Sequence, residues 1–163
     1  MRLVIRLPQV LVGAALLALA AVGAALVSQH VFEMLPCPWC VFQRLVFIVI
    51  AVLALAAAAA PRVLRLPLVG LAAAMSFAGI AAALWQQFHA SKQLSCDTTL
   101  ADRIVSGLKL DALVPDVFMA LASCADASAP LLGVPYAVWS LTVFTLLALV
   151  LTWALRFLLR SRS

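Results

Sequence analysis

The chain has 163 residues, of which 67% are hydrophobic and only 10% charged, whereas a soluble domain is roughly half apolar and about 25% charged. A mean hydropathy of +1.19 excludes a water-soluble globule, because so apolar a chain has to solve its fold in lipid. The formal net charge of +5 does not indicate nucleic acid, since the basic residues stand in short clusters at the ends of apolar runs, where they orient membrane helices.

Arg2 and Arg6 precede the first apolar run, residues 10–29. That run is long enough to cross a bilayer, which takes about 20 helical residues, and longer than the 7–15 residues of a usual signal-peptide core, so a span is expected rather than a cleaved leader. A short link, residues 30–40, ends in Cys37-Pro38-Trp39-Cys40. The second span, 41–60, carries Arg44 and stops at Pro61, which cannot comfortably continue a helix. Residues 61–67 hold Arg62 and Arg65, and the third span covers 68–88. Within it Gly70, Ala74, Ala78 and Ala82 have small-xxx-small spacing, which lets helix backbones approach closely.

A long link follows, residues 89–130, with single cysteines at Cys96 and Cys124. Thr99-Leu100-Ala101-Asp102 has the form of a capping box, Leu100, Ile104 and Leu108 recur at helical spacing, and Gly107 offers a stop. This predicts a short amphipathic helix on the membrane surface. A second short apolar stretch, 114–122, has Pro115 near a helix N-terminus. The fourth span, 131–155, opens with Tyr136 and Trp139 at the depth of an aromatic belt, and residues 156–163 close the chain.

Four spans bring Arg2, Arg6, Arg62, Arg65, Arg156, Arg160 and Arg162 to one face, which the positive-inside rule makes cytoplasmic. All six acidic residues fall in the two links on the opposite face. Both termini are therefore expected in the cytoplasm and all four cysteines at the exoplasmic surface. The fold class expected is an all-α membrane protein: a four-helix transmembrane bundle whose long exoplasmic link carries a short surface helix.

An oxidising exoplasmic compartment makes thiol chemistry the first reading of the cysteines. Four cysteines allow three connectivities, and spacing alone does not choose among them. Cys37 and Cys40 enclose too small a loop to restrain the unfolded chain much, so a reducible, reactive pair is expected there. Cys40 lies at a helix N-terminus with Arg44 one turn on, and both features favour the thiolate. Cys96 and Cys124 enclose 27 residues, and a bridge between them would stabilise by about 3–4 kcal/mol in the chain-entropy model. Zinc is disfavoured because structural sites bring ligands as two close pairs, and Val41 after Cys40 excludes the c-type haem motif. No metal is expected.

Arg44 could snorkel to the headgroups. Alternatively, its rigid fork of donors could hold an oxygen-bearing ligand among the helix ends, and a lipid-soluble two-electron quinone fits that description. His30 and His89 stand near the outer ends of spans one and three. His89 is a candidate for proton transfer because its side chain titrates in the right range. Trp85, Gln86 and Gln87 read as interface anchors.

The order of these features resembles the DsbB family of bacterial disulfide-bond formation proteins. The likeness covers nearly the whole chain: four spans, C-P-W-C at the start of the second, arginine four residues on, two cysteines between spans three and four, and L-G-V-P-Y-x-x-W from Leu132 to Trp139. The resemblance implies an enzyme of the bacterial inner membrane with two redox disulfides, Cys37–Cys40 and Cys96–Cys124. A DsbA-type periplasmic oxidase in its reduced form would attack the second, with Cys96 forming the mixed disulfide. Electrons would pass to Cys37–Cys40 and then from Cys40 to a quinone, ubiquinone or menaquinone, beside Arg44. Some members carry a histidine thirteen residues before the first loop cysteine. Here that position is Ala83, and His89 is the candidate to act from another place.

Two other readings exist. A vitamin K epoxide reductase-like enzyme shares four helices, a CxxC and loop cysteines, but there the loop cysteines precede the CxxC, and here they follow it. A non-catalytic membrane adaptor with one stapled loop would leave Cys37 and Cys40 dispensable.

Overall fold

The computed structural model of the chain describes residues 7–90, 99–125, 130–131 and 133–160. Cys96, Arg2, Arg6 and Arg162 lie outside the described residues. In chain order the elements are α1 (Leu7–His30), α2 (Pro38–Ala59), α3 (Arg62–Phe88), α4 (Leu100–Gly107), α5 (Leu110–Leu113), α6 (Pro115–Phe118), β1 (Pro130–Leu131), β2 (Val134–Pro135) and α7 (Tyr136–Arg160).

The helices α1, α2, α3 and α7 are long and apolar enough to cross a membrane. They pack in a closed ring, α1 on α2, α2 on α3, α3 on α7 and α7 on α1. Every backbone amide inside lipid needs an internal partner, and helices provide it. The bundle core is built from Leu11, Ile50, Phe144, Leu147 and Leu151, all fully buried. Leu16, Val52, Phe77 and Trp153 project outward, which in lipid carries no penalty.

Three features differ from or add to the sequence expectation. First, α3 begins at Arg62, so residues expected as a link are helical and Pro67 lies inside the helix. Pro67 forfeits one backbone bond there, in the second turn of the helix. Second, the turn from α2 to α3 is consequently tight, and Arg65 reaches back to close it. Its Nε donates to Ala57 O at 2.9 Å and its Nη2 to Ala60 O at 2.9 Å, satisfying carbonyls that the helix end leaves free. Third, α7 starts at Tyr136 rather than 131. Pro130–Leu131 instead pairs antiparallel with Val134–Pro135 around Gly133, whose φ of +80° suits glycine.

The close approach of α3 follows the expected stripe only at its ends, where Gly70 is half-buried and Ala82 buried. Ala74 and Ala78 face outward, while Ala72, Ser76, Gly79 and Ala83 are buried. Gly79 sits under the ring of Phe144, which itself stacks on Phe47 at 3.9 Å between centroids. A β-carbon at Gly79 would overlap that ring. Gly79→Ala is therefore expected to destabilise the bundle by about 1–3 kcal/mol, the usual cost of overpacking. Thermal unfolding in detergent measures this, and an unchanged midpoint would refute the close contact.

Outside the bundle, α4 has both halves of the expected capping box: Asp102 N–H donates to Thr99 Oγ1 at 3.2 Å, and Thr99 N–H donates to Asp102 Oδ2 at 3.0 Å. Ala101 and Val105 are its buried side, held against α2, while Leu100 and Leu108 are exposed. The apolar stripe foreseen for the lipid surface thus points away from the bundle. It is a second face that docks the helix over the start of α2.

Candidate active site

The site is built on the first turn of α2. Pro38 at the first helical position has no N–H to satisfy there. Cys37 is the N-cap, with extended backbone at φ −85° and ψ 166°. Its sulfur accepts the Cys40 N–H at 3.3 Å, and the two sulfurs lie side by side, 2.7 Å apart. The helix-end amide foreseen for Cys40 thus serves Cys37, while Cys40 sits in the first turn itself.

The loop brings a third sulfur to the same point. Leu121 N–H and Ala122 N–H donate to Pro36 O at 2.9 and 3.3 Å, tying the loop to the residue before the cap. Cys124 then packs into one buried cluster with Cys37, Cys40, Trp39, Ala82, Ala90 and Ala101. Its sulfur lies near the Cys37 thiol and the Trp39 backbone N–H, and both favour its thiolate. The free amides of the α2 N-terminus thus point at sulfur, an arrangement that favours thiolate. The groups divide the proton unequally. Burial pushes the Cys37 thiol well above its ordinary value, while the hydrogen bond from Cys37 holds Cys124 below it.

Arg44 is buried, at 4% exposure, and does not reach out to headgroups. Its Nη1 donates to Gln29 Oε1 at 2.7 Å and to Val117 O at 2.9 Å, and its Nη2 to Ala25 O at 3.3 Å. Gln29 Nε2 in turn donates to Asp116 O at 3.2 Å. One guanidinium therefore joins α1, α2 and the α6 segment of the loop. Among the described residues, Arg44 Nε is the buried side-chain nitrogen with no hydrogen-bond partner.

A cavity of about 190 Å³ lies between α1, α2 and α7. Cys40, Gln43, Arg44 and Phe47 line it from α2, Ala21, Ala24, Ala25 and Ser28 from α1, and Tyr136, Trp139, Ser140 and Val143 from α7. Apolar walls with a few convergent polar groups are the usual make-up of a small-molecule site. Arg44 and Cys40 share the α2 wall of this cavity, and a guanidinium near a thiol fits an acceptor that presents carbonyl oxygens.

His89 is not among the residues lining this cavity. It ends α3, exposed, with its ring stacked on Trp85 at 4.3 Å between centroids. Ala83 lies in the main core. What α3 brings to the cysteines is Gln86, read from sequence as an interface anchor but here 5% exposed. Its Nε2 lies 3.2 Å from Cys40 Sγ, and its Oε1 accepts from Gln43 Nε2 at 2.6 Å. Tyr136, read as a belt residue, lines the cavity beside Arg44. The overlooked signal was polarity within a span: an amide at membrane depth seldom faces lipid.

Comparison with known proteins agrees with this architecture. The family described as disulfide bond formation protein DsbB matches residues 8–154. The chain is 36% identical over 139 residues to disulfide bond formation protein B 1 of Pseudomonas syringae pv. syringae, covering 83% of this chain and 81% of that one. It is 34% identical over 143 residues to disulfide bond formation protein B of Herminiimonas arsenicoxydans, covering 87% and 90%. It is 36% identical over 145 residues to the protein of the same name from Ralstonia nicotianae, covering 86% and 89%. A thiol cluster on the first turn of a membrane helix, in a chain matched over most of its length, makes this protein a member of the DsbB family of disulfide bond formation proteins.

Proposed function

We propose that this chain is a quinone-linked thiol–disulfide oxidoreductase of the bacterial inner membrane that reoxidises a periplasmic DsbA-type oxidase. One observation carries the reading. Cys40 belongs both to the sulfur cluster that Cys124 joins and to the wall of the apolar cavity. It stands where protein thiols meet a space suited to a lipid-soluble acceptor.

Each transfer between cysteines is thiol–disulfide exchange. The partner's thiolate attacks Cys96 of a Cys96–Cys124 disulfide, forming a mixed disulfide at Cys96 and releasing Cys124 as thiolate. The partner's second thiol resolves that mixed disulfide and leaves oxidised. Cys124, fed by the Trp39 amide, attacks Cys37. The Cys37–Cys40 bond breaks, and its electron pair stays on Cys40, facing the cavity. Cys96, left as thiolate when the partner departs, attacks Cys124, which re-forms the Cys96–Cys124 disulfide and releases Cys37. Cys37 and Cys40 would then re-form their own disulfide, their two electrons and two protons passing to a quinone held in the cavity, which would supply the two-electron sink. Arg44 Nε would hold one of its oxygens, and Phe47 and Trp139 would flank the ring. Overall, a partner dithiol and a quinone become a partner disulfide and a quinol. The clusters of arginine at one end of the spans support an orientation with both termini in the cytoplasm and the cysteines in the periplasm.

Anaerobic stopped-flow of the purified protein with reduced partner and added ubiquinone tests this. Quinone-dependent oxidation of the partner should be present in the wild type and vanish in Cys40→Ser. Undiminished oxidation in that variant would end the assignment.

A further inference from the structure

We infer that Gln86 is a catalytic residue that donates its amide N–H to the Cys40 sulfur released when the Cys37–Cys40 bond opens, and that Gln43 is the positioning residue that keeps this amide turned toward the sulfur. The inference rests on the proposed thiol chemistry of that pair and adds to it a group that neither the cysteine motif nor the family match names.

The argument begins with burial. Gln43 and Gln86 are 2% and 5% exposed, in the part of the bundle where α2 and α3 meet. Two primary amides removed from water are costly unless hydrogen-bonded. Each needs a reason to be there in spans otherwise built from Ala, Leu, Val and Phe. They partner each other: Gln43 Nε2 donates to Gln86 Oε1 at 2.6 Å. A carbonyl oxygen engaged in this way leaves Gln86 Nε2 on the opposite side. There it lies 3.2 Å from Cys40 Sγ and 3.5 Å from Cys37 Sγ. The orientation of an amide is decided by its network, and here Gln43 decides it. Were Gln86 turned over, its oxygen would face the sulfurs and two amide N–H groups would face each other.

The chemistry needs such a donor. When an incoming thiolate attacks Cys37 Sγ, a new S–S bond forms there, the Cys37–Cys40 bond breaks, and both electrons of that bond remain on Cys40. No proton accompanies them, so Cys40 leaves as thiolate in a buried place. The Cys40 backbone N–H is already given to Cys37. The terminal nitrogens of Arg44 are given to Gln29, Ala25 and Val117. Gln86 Nε2 is the side-chain amide donor directed at Cys40 Sγ. A neutral amide suits the task, since it stabilises the anion without forming an ion pair that would hold the thiolate back from the next exchange. Hydrogen bonds to ionised acceptors are stronger than neutral ones, so the bond tightens as charge develops, which is when it accelerates the step.

The other titratable or charged groups around the sulfurs are Cys37 and Cys124, Arg44 on α2, Tyr136 on α7 and Asp102 on α4. None of them is altered in the following test. Full-length protein in lipid nanodiscs is reduced and treated with iodoacetamide across a pH series, and each cysteine is read separately by mass spectrometry. In Gln86→Leu, alkylation of Cys40 at pH 7 should fall about tenfold, a change equivalent to one pH unit of thiolate fraction. Raising the pH should abolish the deficit, and Cys124 should be unaffected. Gln43→Leu should show part of the same deficit. The double variant should match Gln86→Leu alone, because Gln43 acts only through Gln86. Gln86→Met, of similar length but with no donor, gives the same reading should Gln86→Leu fail to fold.

A Cys40 profile unchanged in Gln86→Leu or Gln86→Met overturns the inference. So does a deficit equal at every pH, which is the mark of altered access. Additive effects of Gln43→Leu and Gln86→Leu would remove the positioning role. The readout contains no quinone and no partner. A protein that shows these shifts but no quinone-dependent turnover would sink the proposed function and leave the role of Gln86 standing.

Discussion

Cys124→Ser is expected to stop electron flow from a partner dithiol into the Cys37–Cys40 pair, by roughly a thousandfold or more, as when the nucleophile of a catalytic set is removed. The same variant should still have its Cys37–Cys40 pair oxidised by quinone, because that pair and the cavity do not depend on the loop sulfur. The expectation comes from contact, not from motif. Cys124 is held against Cys37 by the pairing of Leu121 and Ala122 with Pro36, and no other loop cysteine lies there among the described residues. The attack needs Cys124 as thiolate, so transfer should slow about tenfold per pH unit once acidification protonates it. Cys37, bonded to Cys40 at that stage, has no proton to give, and the Trp39 backbone N–H is the donor that remains to Cys124. Acid quench and alkylation during a single turnover measure both points. Wild-type transfer in Cys124→Ser, or a rate that does not fall on acidification, would show that Cys96 reaches the pair without it.

Much of this architecture was legible in the residues. The four helices follow from apolar length, and the capping box of α4 from Thr99 and Asp102, because both signals are local. The CxxC on a helix N-terminus was visible for the same reason. What the sequence did not show were matters of facing. Ala74 and Ala78 have the same four-residue spacing as Ala72 and Ser76, and which pair packs depends on the neighbouring helices, with the Phe144 ring lying against Gly79. Gln86 and Gln87 are adjacent and chemically identical, yet a rotation of one residue decides that Gln86 meets the cysteines. Cys124 was separated from Cys37 by two helices and a long loop. Its arrival depends on backbone bonds between Pro36 and residues 121–122 that no side-chain pattern announces. His89 and Arg44 illustrate the same point from opposite sides. Both are basic residues near helix ends, but His89 ends exposed on the outside of α3, while Arg44 is enclosed by three elements.

Arg44→Lys is expected to separate two duties that the arginine combines. The ammonium keeps the charge and has enough donors for Gln29 Oε1 and Val117 O, but it has no counterpart of the Nε–H that stands unpartnered in Arg44. Quinone use should therefore suffer more than folding: the KM for quinone should rise about tenfold or more, the loss of one good hydrogen bond to a developing charge. The loop should stay docked, with hydrogen exchange over residues 115–118 near that of the wild type. Arg44→Leu should lose both duties. It leaves Gln29 Oε1 and Val117 O buried without their donor, at about 1–3 kcal/mol for each orphaned acceptor. Exchange over residues 115–118 should rise in that variant, and because the same loop carries Cys124, its alkylation should quicken as well. An unchanged quinone dependence in Arg44→Lys would make the guanidinium a structural clamp alone. An undisturbed loop in Arg44→Leu would mean the reverse, that the bonds to Gln29 and Val117 hold nothing in place. Because the two substitutions differ in which acceptors they abandon, the pair of results separates two of the nitrogens of Arg44: Nη1, which serves the fold of the loop, and Nε, which would serve the acceptor in the cavity.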